Sequence, residues 1–393
     1  MSRRFEQLDE RDTPMGTISL RRRLDPTLKV DVYEVKLGDE FLMSSLFTVA
    51  EEELAHLGLA AVAGGELDVV VGGLGLGCTA RAALTDPRVR TLTVVDALAE
   101  VIDWHHRGLV PHAAELTGDP RVRLLHGDFF ALVRAGGLGP ADAILLDVDH
   151  SPRHVLHPSH AGLYTADGLR GLAGLLRPGG VFALWADGAP DEEFTGVLRR
   201  VFATATAHTV RFPNPLLRTE SASTVYVAAT PVLRPGTAGD APAVAVIWRD
   251  GWRDGHLGHV PDDLLRGRTP ESFDRRAAER VADTTVATVE GAVAGFVMIA
   301  GDEVEQVYVA AAHRGTGVAA ALLAAAERLV ADGGHRRAWL AVVAGNGRAR
   351  RFYERHGWAD DGPFDNVVTT DIGVVRVPCR RYVKDVTARG PSG

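Results

Sequence analysis

The chain has 393 residues, 46% of them hydrophobic and 24% charged, with a formal net charge of −8. That length suits two or three domains, each able to bury a full core. The acidic balance excludes a sequence-independent nucleic-acid binder, which needs a clustered basic surface to neutralise phosphates. Two cysteines, Cys78 and Cys379, lie far apart with no metal-ligand spacing, which fits a reducing cytosol and no metal site. The opening MSRRFEQLDERD lacks the apolar core of a signal peptide, and no apolar run is long enough to span a bilayer. A cytoplasmic protein without membrane segments is expected.

Taken in chain order, TISLRRR and LKVDVYEVKLGDEFLM alternate as an antiparallel hairpin does, so residues 1–60 predict a small β cap. Apolar runs then alternate with amphipathic ones. LDVVVGG, RTLTVVD, VRLLHGD, ADAILLD and GGVFALW read as strands, and Thr79–Leu84, Glu100–Arg107 and Leu163–Leu176 as helices. Strands that are apolar almost throughout predict an α/β fold, a Rossmann-like parallel sheet covered on both faces. Gly73, Gly75 and Gly77 follow the first of these strands directly and precede a helix. About twenty residues on, Asp96 ends the next strand, placed to accept ribose hydroxyls. Asp128, Asp147 and Asp149 end later strands, along the crevice where such sheets bind ligands. Glycine spacing by itself leaves a nicotinamide dinucleotide open.

Four acidic strand ends in this order resemble the class I methyltransferase fold and, within it, the spermidine synthase family, over about residues 10–230. TPMGTISLRRR resembles that family's N-terminal hairpin, EEELAHLGL its first helix, and LYTADGLRGLAGLLRPGGVFALW its last helix–strand unit. The resemblance implies that Asp96 holds ribose, that Asp128 reads an adenine amino group, and that Asp147 helps deprotonate an attacking amine. It implies S-adenosylmethionine, decarboxylated S-adenosylmethionine or methylthioadenosine as ligand. The sequence departs from the family at two places. Asp-x-x-Asp-Pro becomes Asp147-Val148-Asp149-His150-Ser151-Pro152, and the Tyr-His-Glu block is reduced to Glu53-Leu54-Ala55-His56. These departures leave aminopropyl transfer, nucleotide sensing and an empty fold as alternatives.

The Pro- and Gly-rich segment ATPVLRPGTAGDAP marks a domain joint near residue 230. The expected domains are 1–230 and 231–386, with a tail at 387–393. Val232-Leu233-Arg234-Pro235 predicts a first strand, and Asp240 a helix N-cap followed by Pro242. VEQVYVAAAHRGTGVAAALLAAAERLVADGG predicts a strand (Val304–Val309), a turn, and a long helix (Thr316–Asp332) closed by Gly333-Gly334. Small residues at such a turn let backbone approach a ligand, and bare amides at the helix start favour a pyrophosphate. AWLAVVAGNGRARRFYERHGW predicts a strand (Trp339–Val343) and a helix (Arg348–His356) stopped by Gly357.

This half resembles the GNAT superfamily of N-acetyltransferases, an α+β fold with a mixed sheet. The resemblance rests on Arg314-Gly315-Thr316-Gly317-Val318-Ala319 after the Tyr-Val strand, and on Asn346, Ala349 and Tyr353 before Gly357-Trp358. It implies acetyl-CoA, with its pyrophosphate on Arg314–Ala319 and its pantetheine arm along Val307-Tyr308-Val309, which splay from the neighbouring strand. It implies that Asn346 contacts the same molecule and that Tyr353 protonates the leaving thiolate, as a phenol of ordinary pKa near 10 can.

The transfer needs a neutral amine, so a base is required. Glu305 is the first candidate and Glu303 the second, since period-two alternation puts both on one face with Val307. His256 and His259 are candidates to line the acceptor pocket. No cysteine lies in the motifs, so direct transfer in a ternary complex is expected. Expected partners are a small-molecule amine such as a polyamine, or a protein lysine, and a second copy of the chain; nucleic acid and membrane are not among them.

Overall fold

The computed structural model describes residues 5–214, 219–370 and 373–387. Positions 388–393 of the expected tail lie outside these. The chain separates into two units, Met1–Thr230 and Pro231–Gly393.

The first unit opens with an antiparallel meander of β1 (Phe5–Thr13), β2 (Gly16–Leu24), β3 (Asp31–Leu37) and β4 (Glu40–Ser44). Alternation buries Ile18, Leu20 and Val35. β1 is one strand more than the alternation predicted. Its FEQLDERDT carries few apolar side chains, and its charges are met across the ladder, as where Glu6 lies opposite Arg22 at 2.6 Å.

Next come α1 (Val49–Ala60), β5 (Leu67–Gly72), α2 (Cys78–Leu84), β6 (Val89–Asp96), α3 (Ala99–His106), α4 (Ala113–Gly118), β7 (Val122–His126), α5 (Phe129–Ala135), β8 (Ala141–Leu146), α6 (Ala166–Ala173), β9 (Leu176–Asp187), α7 (Glu192–Arg199), β10 (Thr204–Asn214) and β11 (Thr219–Ala229). They build a seven-stranded sheet in the order β10-β11-β9-β8-β5-β6-β7. Strands β9 to β7 in that order are parallel, and the β10–β11 hairpin closes one edge antiparallel. Val69 and Val71 of β5 join the core on one face, and Val70 joins the core on the other, which is why this strand is apolar throughout.

One predicted helix, Leu163–Leu176, is divided. A 3₁₀ turn covers Pro158–Tyr164, the Thr165 hydroxyl caps α6 by accepting from the Gly168 amide at 3.2 Å, and Leu176 already belongs to β9.

The second unit runs β12 (Val232–Pro235), α8 (Ala241–His256), α9 (Asp262–Gly267), α10 (Pro270–Glu279), β13 (Thr284–Val289), β14 (Ala292–Ala300), β15 (Glu303–Val309), α11 (Val318–Asp332), β16 (Arg337–Val343), α12 (Gly347–Arg355), β17 (Ala359–Thr370) and β18 (Gly373–Asp385). Its sheet order is β12-β13-β14-β15-β16-β18-β17, with only β15 and β16 parallel. Trp248 of α8 and Phe273 of α10 pack on Phe296 and Met298. α11 covers the other face, where Leu322 fills the space a side chain on Gly295 would take.

Asp240 does not cap α8 through its side chain. It accepts from the Thr237 backbone and hydroxyl and pairs with Arg234 at 2.7 and 2.8 Å, so its carboxylate is already committed one turn earlier.

Gly73 sits at φ +96°, where a Cβ would stand 2.0 Å from the Asp147 carbonyl oxygen. Gly73→Ala should therefore destabilise the first unit by at least the roughly 1–3 kcal/mol of such backbone strain. A urea midpoint equal to that of the parent chain would show that the loop does not close there.

Candidate functional site

In the first unit the loop between β5 and α2 turns on three glycines of positive φ, Gly73, Gly75 (+46°) and Gly77 (+88°). It is held from two sides. Asp96, at the end of β6, accepts from the Leu74 amide at 2.9 Å and the Leu98 amide at 2.8 Å. His105 donates from Nε2 to the Gly75 carbonyl at 3.0 Å, and burial pushes this imidazole down to about 4, so it stays neutral. Met43 of β4 lies over the loop, its sulfur accepting from the Leu76 amide at 3.2 Å.

Beside this loop lies a cavity of about 320 Å³. It brings together Gly73, Gly75, Asp96, Asp128 and Asp147, all named from the sequence, and it adds Glu51 of α1, His160 and Trp185. Gly77 is not on its wall; it starts α2 as a left-handed cap. Asp128 caps α5 by accepting from the Ala131 amide at 3.1 Å. Burial raises the Asp96 carboxyl against the opposing pull of its amide partners.

The main feature is a pair of acids. The Thr79 hydroxyl donates to Asp147 at 2.6 Å and lies 3.3 Å from the Glu51 carbonyl, which brings α1 and the end of β8 together. Burial pushes Asp147 up to about 6, and burial with the Asp147 charge pushes Glu51 up to about 8. Trp185 adds an indole N–H sealed from solvent with no acceptor among the described residues.

Asp149 has left this company. Its side chain is fully buried and accepts from Tyr164 at 2.6 Å, from His160 Nδ1 at 2.9 Å and from the Leu156 amide at 2.7 Å. Glu51 carried no signal in the sequence, because a run of three glutamates on one helix does not say which of them turns inward. Trp185 was hidden in the same way inside an apolar strand.

In the second unit, β15 and β16 pair at one position, Glu303 with Trp339. Beyond it they diverge, and Val307, Tyr308 and Val309 face the gap with backbone that β16 does not meet. Gly315 (φ +80°) then turns the chain into α11. The amides of Gly315, Thr316, Gly317, Ala319 and Ala320 meet no protein acceptor among the described residues, and the Val318 amide has only a long contact to Thr316 at 3.4 Å. Arg314 is paired with Asp254 at 2.6 Å. Asn346 caps α12, its side chain accepting from the Ala349 amide at 3.1 Å. Tyr353 packs edge-on against Phe352 and tilted against Trp358 and Tyr382, and burial raises its phenol, as it does that of Tyr308.

The shared face expected for Glu303, Glu305 and Val307 is not found. A bulge at Glu305 pairs Val304 with Ile299 but Gln306 with Met298, so the alternation slips by one. Glu303 then shares the α8/α10 face with Gln306 and Tyr308, while Val307 points to the other. Glu305 is in an ion pair with Arg280 at 2.8 Å. Glu303 is pushed up to about 7 by burial and by the charges of Glu305 and Asp302. His256 stacks on Trp252 with centroids 4.8 Å apart and donates to its carbonyl, and His259 packs on Gly345.

Residues 248–358 match the model of the acetyltransferase (GNAT) family, so the second unit carries a GNAT domain. The chain is 38% identical over 78 residues to an uncharacterized N-acetyltransferase of Mycobacterium tuberculosis, covering 19% of this chain and 50% of that protein. Its N-terminal part is similar to putrescine N-methyltransferase 1 of Nicotiana tabacum, 31% identical over 136 residues, or 35% of this chain and 34% of the other. The chain thus spans from a third to a half of the length of these curated relatives. Among solved structures, spermidine synthase from Thermotoga maritima aligns at a TM-score of 0.46 and 17% identity, over 57% of this chain and 72% of that one. A GCN5-related N-acetyltransferase from Rhodopseudomonas palustris aligns at 0.33 and 22%, over 40% and 96%.

The raised carboxyls of the first unit have a consequence for stability. A carboxyl whose folded pKa is raised binds its proton more tightly when folded, so its contribution is present at low pH and lost as pH rises. From Asp147 and Glu51, the first unit should lose stability between about pH 4 and pH 8. Glu51→Gln should flatten that slope in a calorimetric Tm series, and an unchanged slope would separate the pair.

Proposed function

We propose that the chain is an N-acetyltransferase that moves an acetyl group from acetyl-CoA to a primary amine by direct attack in a ternary complex, and that its first unit holds an adenosyl nucleotide. The observation that carries the acetyl-transfer reading is the unpaired backbone between β15 and β16 leading into the bare amides before α11. Such amides, with the dipole of a 15-residue helix behind them, suit a diphosphate. Gly315 to Ala319 would hold it, Val307 to Val309 would line the pantetheine arm, and Asn346 would contact the same molecule. Bound acetyl-CoA supplies a thioester as acetyl donor.

The roles of the side chains follow from their surroundings. Glu303 accepts the ammonium proton, because a carboxyl near 7 is a stronger base than an ordinary one and is still half ionised at neutral pH. This ranks it above Glu305, whose oxygen is taken by Arg280. Tyr353 keeps its proton for the departing sulfur, since burial raises the phenol. Cys379 is buried and pushed up to about 11, which leaves it a thiol and a poor nucleophile at neutral pH.

In the first unit, Asp96 would meet ribose and Asp128 an adenine amino group, next to the glycine loop. The acceptor amine class, a polyamine or a protein lysine, is a choice for a panel assay that follows thiol release. Calorimetric titration with acetyl-CoA tests the core of this reading, and the absence of uptake by folded protein would end it.

Two variants test the chemistry. Tyr353→Phe should lower turnover by roughly 10-fold or more, within the ~10²–10⁴ range of general acid catalysis. The kcat/KM of the parent should rise with pH through an inflection near 7 as Glu303 loses its proton, and Glu303→Gln should abolish that inflection. An unchanged profile would assign the base elsewhere.

A further inference from the structure

One face of the sheet in the second unit presents four residues in a row across four strands. Glu303 of β15 is the register partner of Trp339 of β16. Arg381 of β18 lies opposite Ala341, two residues along from Trp339, and Phe364 of β17 lies opposite Cys379, two residues from Arg381. Residues two apart on a strand share a face, as do partners across strands, so the four side chains stand on one side. Ala341, Cys379 and Phe364 belong to the cluster of Trp248 and Phe273, which makes this the side of α8 and α10.

Arg381 is held here by rings. Its guanidinium carbon is 4.5 Å from the centre of Trp339 and 4.9 Å from that of Phe364, and the two rings meet edge to face at 6.2 Å. Trp339 is fixed in turn, because its indole N–H donates to Asp302 at 3.1 Å. Aromatic rings hold a guanidinium without using its N–H donors. Those donors meet no acceptor among the described residues. Neighbouring arginines are spent: Arg280 pairs with Glu305 at 2.8 Å, and Arg380 pairs with Asp360. Beyond Trp339 stands Glu303, whose carboxyl burial raises and the Arg381 charge helps to pull back down.

We propose that the acceptor is a small primary amine that also carries a carboxylate, its amine presented to Glu303 and its carboxylate held by the guanidinium fork of Arg381. This rests on the acetyl-transfer reading given above. Strands β15 and β18 lie two spacings apart, roughly 10 Å, and the Arg381 side chain leans back over Trp339, so the two anchors suit a molecule the size of an amino acid. A planar fork with unused donors is matched to a carboxylate, which it meets through two parallel hydrogen bonds. A polyamine would instead set its second ammonium against the Arg381 cation, a like-charge contact. In the transfer the ammonium gives one proton to Glu303, and its nitrogen then bonds the acetyl carbon as the carbon–sulfur bond breaks. A second proton leaves the nitrogen as the amide forms, balancing the one that Tyr353 gives to the sulfur. The carboxylate takes no part in these bonds and serves as the anchor.

The test is a thiol-release assay of the full chain with acetyl-CoA and matched acceptors: lysine beside cadaverine, ornithine beside putrescine, and tyrosine beside tyramine, each second compound lacking only the carboxylate. In at least one pair the acid should have a kcat/KM higher by about 10-fold or more, the scale of charge-assisted hydrogen bonds. Arg381→Gln should lower kcat/KM for that acid by a similar factor, mainly through KM, and narrow the ratio within the pair. Arg381→Lys keeps the charge without the fork and should hold an intermediate ratio. A purely structural role for Arg381 would lower both members of a pair alike, and that result overturns the assignment. So does a parent chain that binds acetyl-CoA yet prefers no acid to its counterpart, or that prefers a lysine-bearing peptide to every free acid. Should Arg381→Gln not fold, Arg381→Lys decides, and a ratio equal to that of the parent overturns the role of the fork. A folded chain that takes up no acetyl-CoA fails the acetyl-transfer reading instead.

Discussion

Backbone polar groups kept from pairing are the constraint on which the second unit depends. A strand in the middle of a sheet normally meets a neighbour on both edges, because an unpaired buried amide or carbonyl carries a cost near that of a lost hydrogen bond. β15 meets β14 along its length but β16 at a single position. The bulge at Glu305 bends it away, and Gly315 turns the chain so that the next amides converge before α11. What this fold leaves open is a strip of main-chain donors and acceptors leading to a cluster of donors, the feature on which the proposed diphosphate site rests.

The first unit applies the same logic through side chains. Its glycine loop is closed against Met43, His105 and Asp96, so the loop is a rigid wall. The open demand there lies in the acids. Thr79 ties the α1 backbone at Glu51 to the Asp147 carboxylate at the end of β8, and among the described residues neither acid has a basic partner. Among the described residues the two units therefore hold different unmet polarities: donors without acceptors in one, carboxylates without a cation in the other.

Much of this was legible in the sequence where a motif fixes local backbone. Gly73, Gly75 and Gly315 take positive φ in their turns and Asn346 opens α12, because glycine at positive φ and an Asn cap are demands of a few consecutive residues. The acids at Asp96, Asp128 and Asp147 follow from strand ends, which apolar periodicity marks well. Glu305 and Asp149 were not legible in the same way. A one-residue bulge reverses the facing of everything beyond it, and no local preference announces the bulge. Asp149 is recruited by Tyr164 and His160, residues of a turn whose last two positions the sequence reading had taken as the start of a helix.

What the sequence by itself determined was the parallel core, the joint near residue 230 and the two glycine-bearing turns at Gly73–Gly77 and Gly315, since each rests on interactions between residues close along the chain. Only the tertiary structure decided which of three consecutive glutamates entered the cavity, which of two strand carboxylates stayed out of an ion pair, and which aspartate was withdrawn into the interior. Those outcomes depend on burial and on partners tens of residues away. Desolvation and pairing set a carboxyl's protonation, and neither is a property of the residue alone.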